Sequence, residues 1–142
     1  MLKKTLVGLV LGASLVSSLN AETLKHDMDV LATSLSSVQR AFLLNNREIS
    51  VQLLADLKKN IKHTLGSKEK VISLLPDKLK YKSRIAVNSG RMINQYIDQI
   101  DEIYADKHLK NIEAQMESQN ALIQIQEQCY KCHNLVRDWD KR

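Results

Sequence analysis

Two cysteines stand three residues apart and a histidine follows directly, in Cys129-Tyr130-Lys131-Cys132-His133. On a helix, positions i, i+3 and i+4 share one face. Both thiols and the imidazole would then point the same way. Two thiols at that spacing can add to the two vinyl groups on one edge of a porphyrin, and a histidine beside them can supply a nitrogen ligand to its iron. The spacing is the attachment signature of c-type haem. A disulfide between the two cysteines would close a very small loop and stabilise little. A closed structural zinc site wants four protein ligands, and the motif supplies three. A thioredoxin-like redox pair would need a βαβ context. A pair of ordinary buried cysteines beside a surface histidine is the remaining alternative.

Haem attachment of this kind takes place on exported proteins, and the other end of the chain carries an export pattern. Lys3 and Lys4 precede an apolar run over 6–16, and Leu19-Asn20-Ala21 offers a small residue at the cut point. This is the layout of a secretory signal peptide, with an apolar run short for a membrane span. A retained N-terminal anchor is the competing reading. Cleavage after Ala21 divides the chain into a signal peptide, 1–21, and one mature domain, 22–142. Losing Lys3 and Lys4 lowers the formal charge from +5 to about +3, and two haem carboxylates would lower it further. So mild an excess, with no recognition module, argues against nucleic-acid binding. No membrane span is expected after cleavage.

The elements that must position the motif are helical. The chain has one proline and four glycines, two of the glycines inside the export segment. Four amphipathic segments follow from apolar periodicity. The first, 22–45, carries Leu24, Met28, Leu31, Leu35, Val38 and Phe42 at alternating spacings of four and three. The second, 48–65, carries Ile49, Leu53, Leu54, Leu57, Ile61 and Leu65, with Gly66 placed to stop it. The stretch 66–76 is apolar for a loop, through Val71, Ile72, Leu74 and Leu75. It forms a short helical turn or covers something apolar. The third helix, 77–105, has Leu79, Ile85, Ala86, Ile93, Ile97, Ile100 and Tyr104 as its core side. The fourth, 107–139, has Leu109, Ile112, Met116, Ile123, Cys129, Cys132 and Val136 on its inner face. Four helices with mostly short connections predict an all-α antiparallel up-down-up-down four-helix bundle. A long three-helix arrangement is the alternative.

An exported four-helix chain with Cys-x-x-Cys-His in its last helix resembles the class II cytochromes c, the cytochrome c-prime family and its low-spin relatives. Cys129, Cys132 and His133 match the attachment motif. Arg137 matches the basic residue that commonly follows it, and Met28 matches the place where low-spin members put a methionine ligand to iron. Val136 stands where the family often has an aromatic residue. The resemblance implies one covalent haem c, His133 and Met28 as iron ligands, and a cofactor pocket to which Cys129, Cys132 and Arg137 contribute. It also implies homodimers formed through the first two helices, as in many relatives.

Axial level can be weighed separately. In an antiparallel bundle the start of the first helix and the end of the fourth share one end. Met28 lies six residues beyond Glu22, roughly 9 Å along the axis at 1.5 Å per residue, about the level of His133. Met116 is roughly 25 Å from His133 along the same helix. Met92 and His108 also lie at the wrong level, while His26 and His63 fall off their helices' apolar seams. The plain alternative for Met28 is a methionine that only packs in the core. With Met28 on the iron the protein would be a low-spin electron carrier. Without it the site would be five-coordinate and bind nitric oxide or carbon monoxide. No serine–histidine–acid set or glycine-rich phosphate loop accompanies the motif, so either reading is of a haem protein without an enzyme's constellation. The cations Lys68, Lys70, Lys78, Lys80, Lys82 and Arg84, opposed by Glu69 and Asp77, suggest a docking rim for acidic redox partner proteins in the periplasm. A solvated loop with ordinary solubilising charge is the plainer alternative.

Overall fold

The computed structural model describes the backbone of residues 6–137 and the side chains of residues 23–136. Five α-helices form, with no strand among the described residues: α1 Leu6–Leu43, α2 Arg47–Leu65, α3 Lys68–Leu74, α4 Ser83–Ala105 and α5 Asn111–Cys132. A 3-10 turn, Asp77–Lys82, leads into α4, and a π-helical turn, His133–Arg137, follows α5. The third expected helix therefore starts later, with its first turn wound more tightly. The segment expected as a loop contains α3. No helix among the described residues is long and apolar enough to cross a membrane.

Local chemistry sets the boundaries. After α1, Asn45 adopts a left-handed φ of 50°, a conformation asparagine tolerates better than most residues. Asn46 then caps α2, its side chain accepting from the Ile49 N–H at 3.1 Å. Gly66 ends α2 with its N–H on the Lys62 carbonyl, in ordinary right-handed geometry. Ser67 caps α3 by accepting from the Lys70 N–H, and Pro76 separates α3 from the 3-10 turn.

The closely packed pairs are α4 with α5, α1 with α2 and α2 with α4; α1 and α5 are not among them. The core runs along these seams through Val38 and Phe42, Leu54, Leu57 and Ile61, Ile93, Ile97 and Ile100, and Ile125. On α5 the buried positions are Ala114, Ser118, Ala121, Leu122 and Ile125. Ile112, Met116 and Ile123, expected on that face, are 54%, 65% and 43% exposed. Small residues let α4 and α5 approach closely, and the larger apolar ones are left on the outside.

One end of the bundle is clamped. Phe42 and Tyr104 stack with centroids 5.9 Å apart, Arg47 lies 5.5 Å over the Tyr104 ring, and Gln115 donates to the Phe42 carbonyl. These contacts tie α1, α2, α4 and α5 together there, with the Tyr104 side chain buried between them.

Towards the other end α2 meets α4 at a glycine. A Cβ on Gly90 would stand 2.7 Å from the Leu65 Cβ. Replacing Gly90 with alanine should therefore force Leu65 outward and destabilise the fold by about 1–3 kcal/mol. Urea denaturation should show a lower midpoint with an unchanged slope.

Candidate functional site

Cys129 and Cys132 lie on the last turns of α5, and His133 begins the π-helical turn. The His133 N–H is shared between the carbonyls of Cys129 and Tyr130, and the wider π-helical winding follows from there. Single π-helical turns of this kind recur at functional sites. The two thiols are not joined in a disulfide. Both are half-buried, as is His133, while Tyr130 and Lys131 between the cysteines face solvent.

Two cavities meet behind the motif. The first, about 300 Å³, lies among α1, α2, α4 and α5 and is bordered by Met28, Leu31, Leu35, Ile61, Cys129 and His133 among others. The second, about 310 Å³, lies beneath α3 and the 3-10 turn, bordered by Leu24, Val71, Leu74, Leu75, Leu79 and Val136. Met28, Leu65, Cys132 and His133 border both, making a slot divided at these four side chains. Its size and largely apolar wall fall in the range of cofactor pockets. The α1 seam reflects it: Val38 and Phe42 are buried in the core, whereas Leu24, Met28, Leu31 and Leu35 are only half-buried.

Polar groups on the wall are few. Ser36, Gln39, Gln126 and Gln128 border the first cavity, and the Gln128 side-chain oxygen is buried without a hydrogen-bond partner. Lys78 is the only lysine or arginine among the described residues that borders either cavity. Sequence reading missed both Gln128 and Lys78 as wall residues. The available signal for Gln128 was its position beside Cys129; for Lys78 it was its place in the basic stretch 68–84.

The slot brings Met28 together with Cys129, Cys132 and His133. His26, His63 and His108 are exposed, and His63 borders a separate groove. Met116 is exposed, and Met92 borders neither cavity. Arg137 closes the π-helical turn, and its side chain lies outside the described residues. The expected basic rim does not form as one surface. Lys82 is buried, with its ammonium 5.6 Å from the Tyr81 ring centre. Lys80 pairs with Asp77 at 2.6 Å, and Lys70 faces the groove that holds His63.

Burial pushes the Cys129 thiol above its ordinary pKa. Burial and the neighbouring Cys129 push the Cys132 thiol up to about 11. Both therefore favour neutral S–H at neutral pH, whereas zinc binding and disulfide exchange use the thiolate. Among the described residues no three His, Cys, Asp or Glu side chains form a metal-ion cluster. A porphyrin needs another donor set: two thiols on one edge, an imidazole beside them and an apolar wall. The residues around the slot fit that set.

In comparisons with known proteins, no family profile, curated protein or solved structure matches the chain.

The raised thiol pKa values carry a signed consequence for the haem-free chain. The folded state holds these protons more tightly than the unfolded state, so their contribution to stability is present below the ordinary thiol pKa of 9.0. It is lost as pH rises through about 11 for Cys132. Iodoacetamide at pH 8 should accordingly alkylate the folded haem-free chain at least roughly tenfold more slowly than the urea-unfolded chain, because the thiolate is the nucleophile. Equal rates, read by mass spectrometry, would contradict the buried-thiol environment.

Proposed function

We propose that the chain is an exported monohaem c-type cytochrome that carries electrons in the periplasm. It is read as an electron carrier rather than an enzyme, built on an antiparallel up-down-up-down bundle of α1, α2, α4 and α5. The observation that carries the reading is that Met28, Cys129, Cys132 and His133 border one largely apolar slot. The packing of α1 on α2, α2 on α4 and α4 on α5 supplies three of the four seams such a bundle has, and the slot lies at the fourth, between α1 and α5. Among the described residues the slot wall begins at Leu24, so removal of residues 1–21 would take none of them.

The thiols of Cys129 and Cys132 would each add across a vinyl double bond. The sulfur bonds to one carbon, the thiol proton goes to the other, and no oxidant is consumed. His133 would present its imidazole from the same helical face, and Met28 its thioether from α1 across the slot. Haem iron held there would supply one-electron redox chemistry. Methionine ligation would raise its potential relative to bis-histidine ligation. Lys78 stands where a cation can face a porphyrin carboxylate at the edge of the second cavity. The apolar side chains of α1, α3 and the 3-10 turn would exclude water from the rest. By the family resemblance, Arg137 would add to the pocket just beyond the motif.

Spectra of the purified mature protein test the reading. The expected result is a Soret band that survives acid–acetone extraction, with a low-spin spectrum in both redox states that does not respond to carbon monoxide. Met28→Ala should turn the spectrum high-spin, admit carbon monoxide and lower the reduction potential. A wild-type spectrum that is already high-spin and shifts with carbon monoxide or nitric oxide would replace electron carrying with gas binding. No Soret band after export alongside haem-attachment machinery would remove the haem reading.

A further inference from the structure

A third cavity opens outside the slot. It is a surface groove of about 900 Å³ between the C-terminal part of α2 and α4, reaching the start of α3. Its walls carry Lys62, His63, Lys70 and Arg91. Among the described residues Asp98 is the one acid on the wall, and it is already engaged by Lys58. Arg91 is braced by the Asn88 side chain at 2.8 Å, which holds its guanidinium in place while leaving other N–H donors. Asn94, also on the wall, has a buried side-chain oxygen without a hydrogen-bond partner. Leu65 borders this groove as well as both halves of the slot. A single side chain thus connects the cationic surface to the candidate redox site.

We propose that this groove docks the acidic face of a protein partner, which under the haem reading above is its redox partner. Three permanent cations reach it from separate elements: Lys62 on α2, Lys70 on α3 and Arg91 on α4. That spread matches a row of Asp and Glu side chains better than one compact anion. Among the described residues no phenylalanine, tyrosine or tryptophan lines the groove, so it lacks the broad stacking platform a single-stranded nucleic acid would use. The cations lie outside the slot, where they steer an encounter by long-range attraction. Leu65 makes the docked surface a near neighbour of the slot. This location replaces the rim expected over 68–84, from which Lys82 is withdrawn by burial and Lys80 by its pairing with Asp77.

The test titrates the isotope-labelled mature protein with oxidised flavodoxin, a small acidic flavoprotein, and follows backbone amide shifts. Shifts should concentrate around Lys62, Lys70 and Arg91 at low salt and largely disappear at about 0.5 M salt, where screening is strong. Lys62→Glu with Arg91→Glu should weaken binding at least roughly tenfold. Arg40→Glu with Lys107→Glu changes net charge by the same amount near the opposite end of α2 and should weaken it less than about twofold. No binding to the wild type, shifts centred elsewhere, or equal weakening by both double variants would overturn the proposal. The absorption spectrum of the same samples reports separately on the haem reading, so the loss of one is not mistaken for the loss of the other.

Discussion

The structure depends on a separation. Helices α1 and α5 are held apart where residues 28–39 face residues 125–132, and the space between them is lined largely by apolar side chains that do not fill it. Protein interiors normally pack to the density of organic crystals. An empty apolar void costs roughly 24 cal/mol per Å³, so a closed cavity of this size would cost several kcal/mol. Opening to water relieves part of that cost and leaves Leu24, Met28, Leu31 and Leu35 half-exposed. The helices do not collapse across the gap because they are fixed elsewhere. Phe42, Tyr104, Arg47 and Gln115 clamp the far end, and Gly90 admits Leu65 where α2 meets α4. The slot is therefore a property of the whole bundle.

The same constraint explains the composition of α5. Its buried face begins with Ala114, Ser118 and Ala121, which bring α5 close to α4. It then passes through Ile125 to Cys129, Cys132 and Val136, which face the slot. One helix face thus serves close packing at one end and the site at the other. The π-helical turn begins at His133, so the wider winding starts at the imidazole itself. The short α3 and the 3-10 turn complete the enclosure. Val71, Leu74, Leu75 and Leu79 cover the second cavity, which is why a connection between helices is so apolar.

Much of this was readable from periodicity because the relevant seams use large apolar residues. The α1 seam runs unbroken from Leu24 to Phe42, and its two halves differ only in what faces them. The α5 face was misread for a physical reason. The helix carries two stripes, one of large residues through Ile112, Met116 and Ile123, the other of small ones. Hydrophobic weight favours the first stripe and close packing selects the second. The motif contained the correction, since Ile123 and Cys129 are six residues apart and point about 120° away from each other at 3.6 residues per turn. The basic stretch 68–84 was misjudged because charge counted along a sequence ignores direction. A tight 3-10 turn presents neighbouring lysines to different surroundings, burying Lys82 while leaving Lys78 at the slot.

The distribution of charge sets the electrostatic character of the slot. Along its wall the polar groups are mainly serine and glutamine, and Lys78 is the one lysine or arginine among the described residues at the second cavity. A group bound there would lose water and meet few compensating charges. In such a medium each added positive charge on a bound metal is costly, because a charge taken out of water loses its hydration. The environment therefore favours the less charged state of whatever is bound. For an iron porphyrin that is the ferrous state, so burial and a thioether ligand would act in the same direction, both raising the potential. Cations placed in the outer groove can steer a partner through solvent with little effect on that balance, because screening weakens them over a Debye length of about 8 Å. Leu65, apolar and common to groove and slot, keeps the two surfaces close.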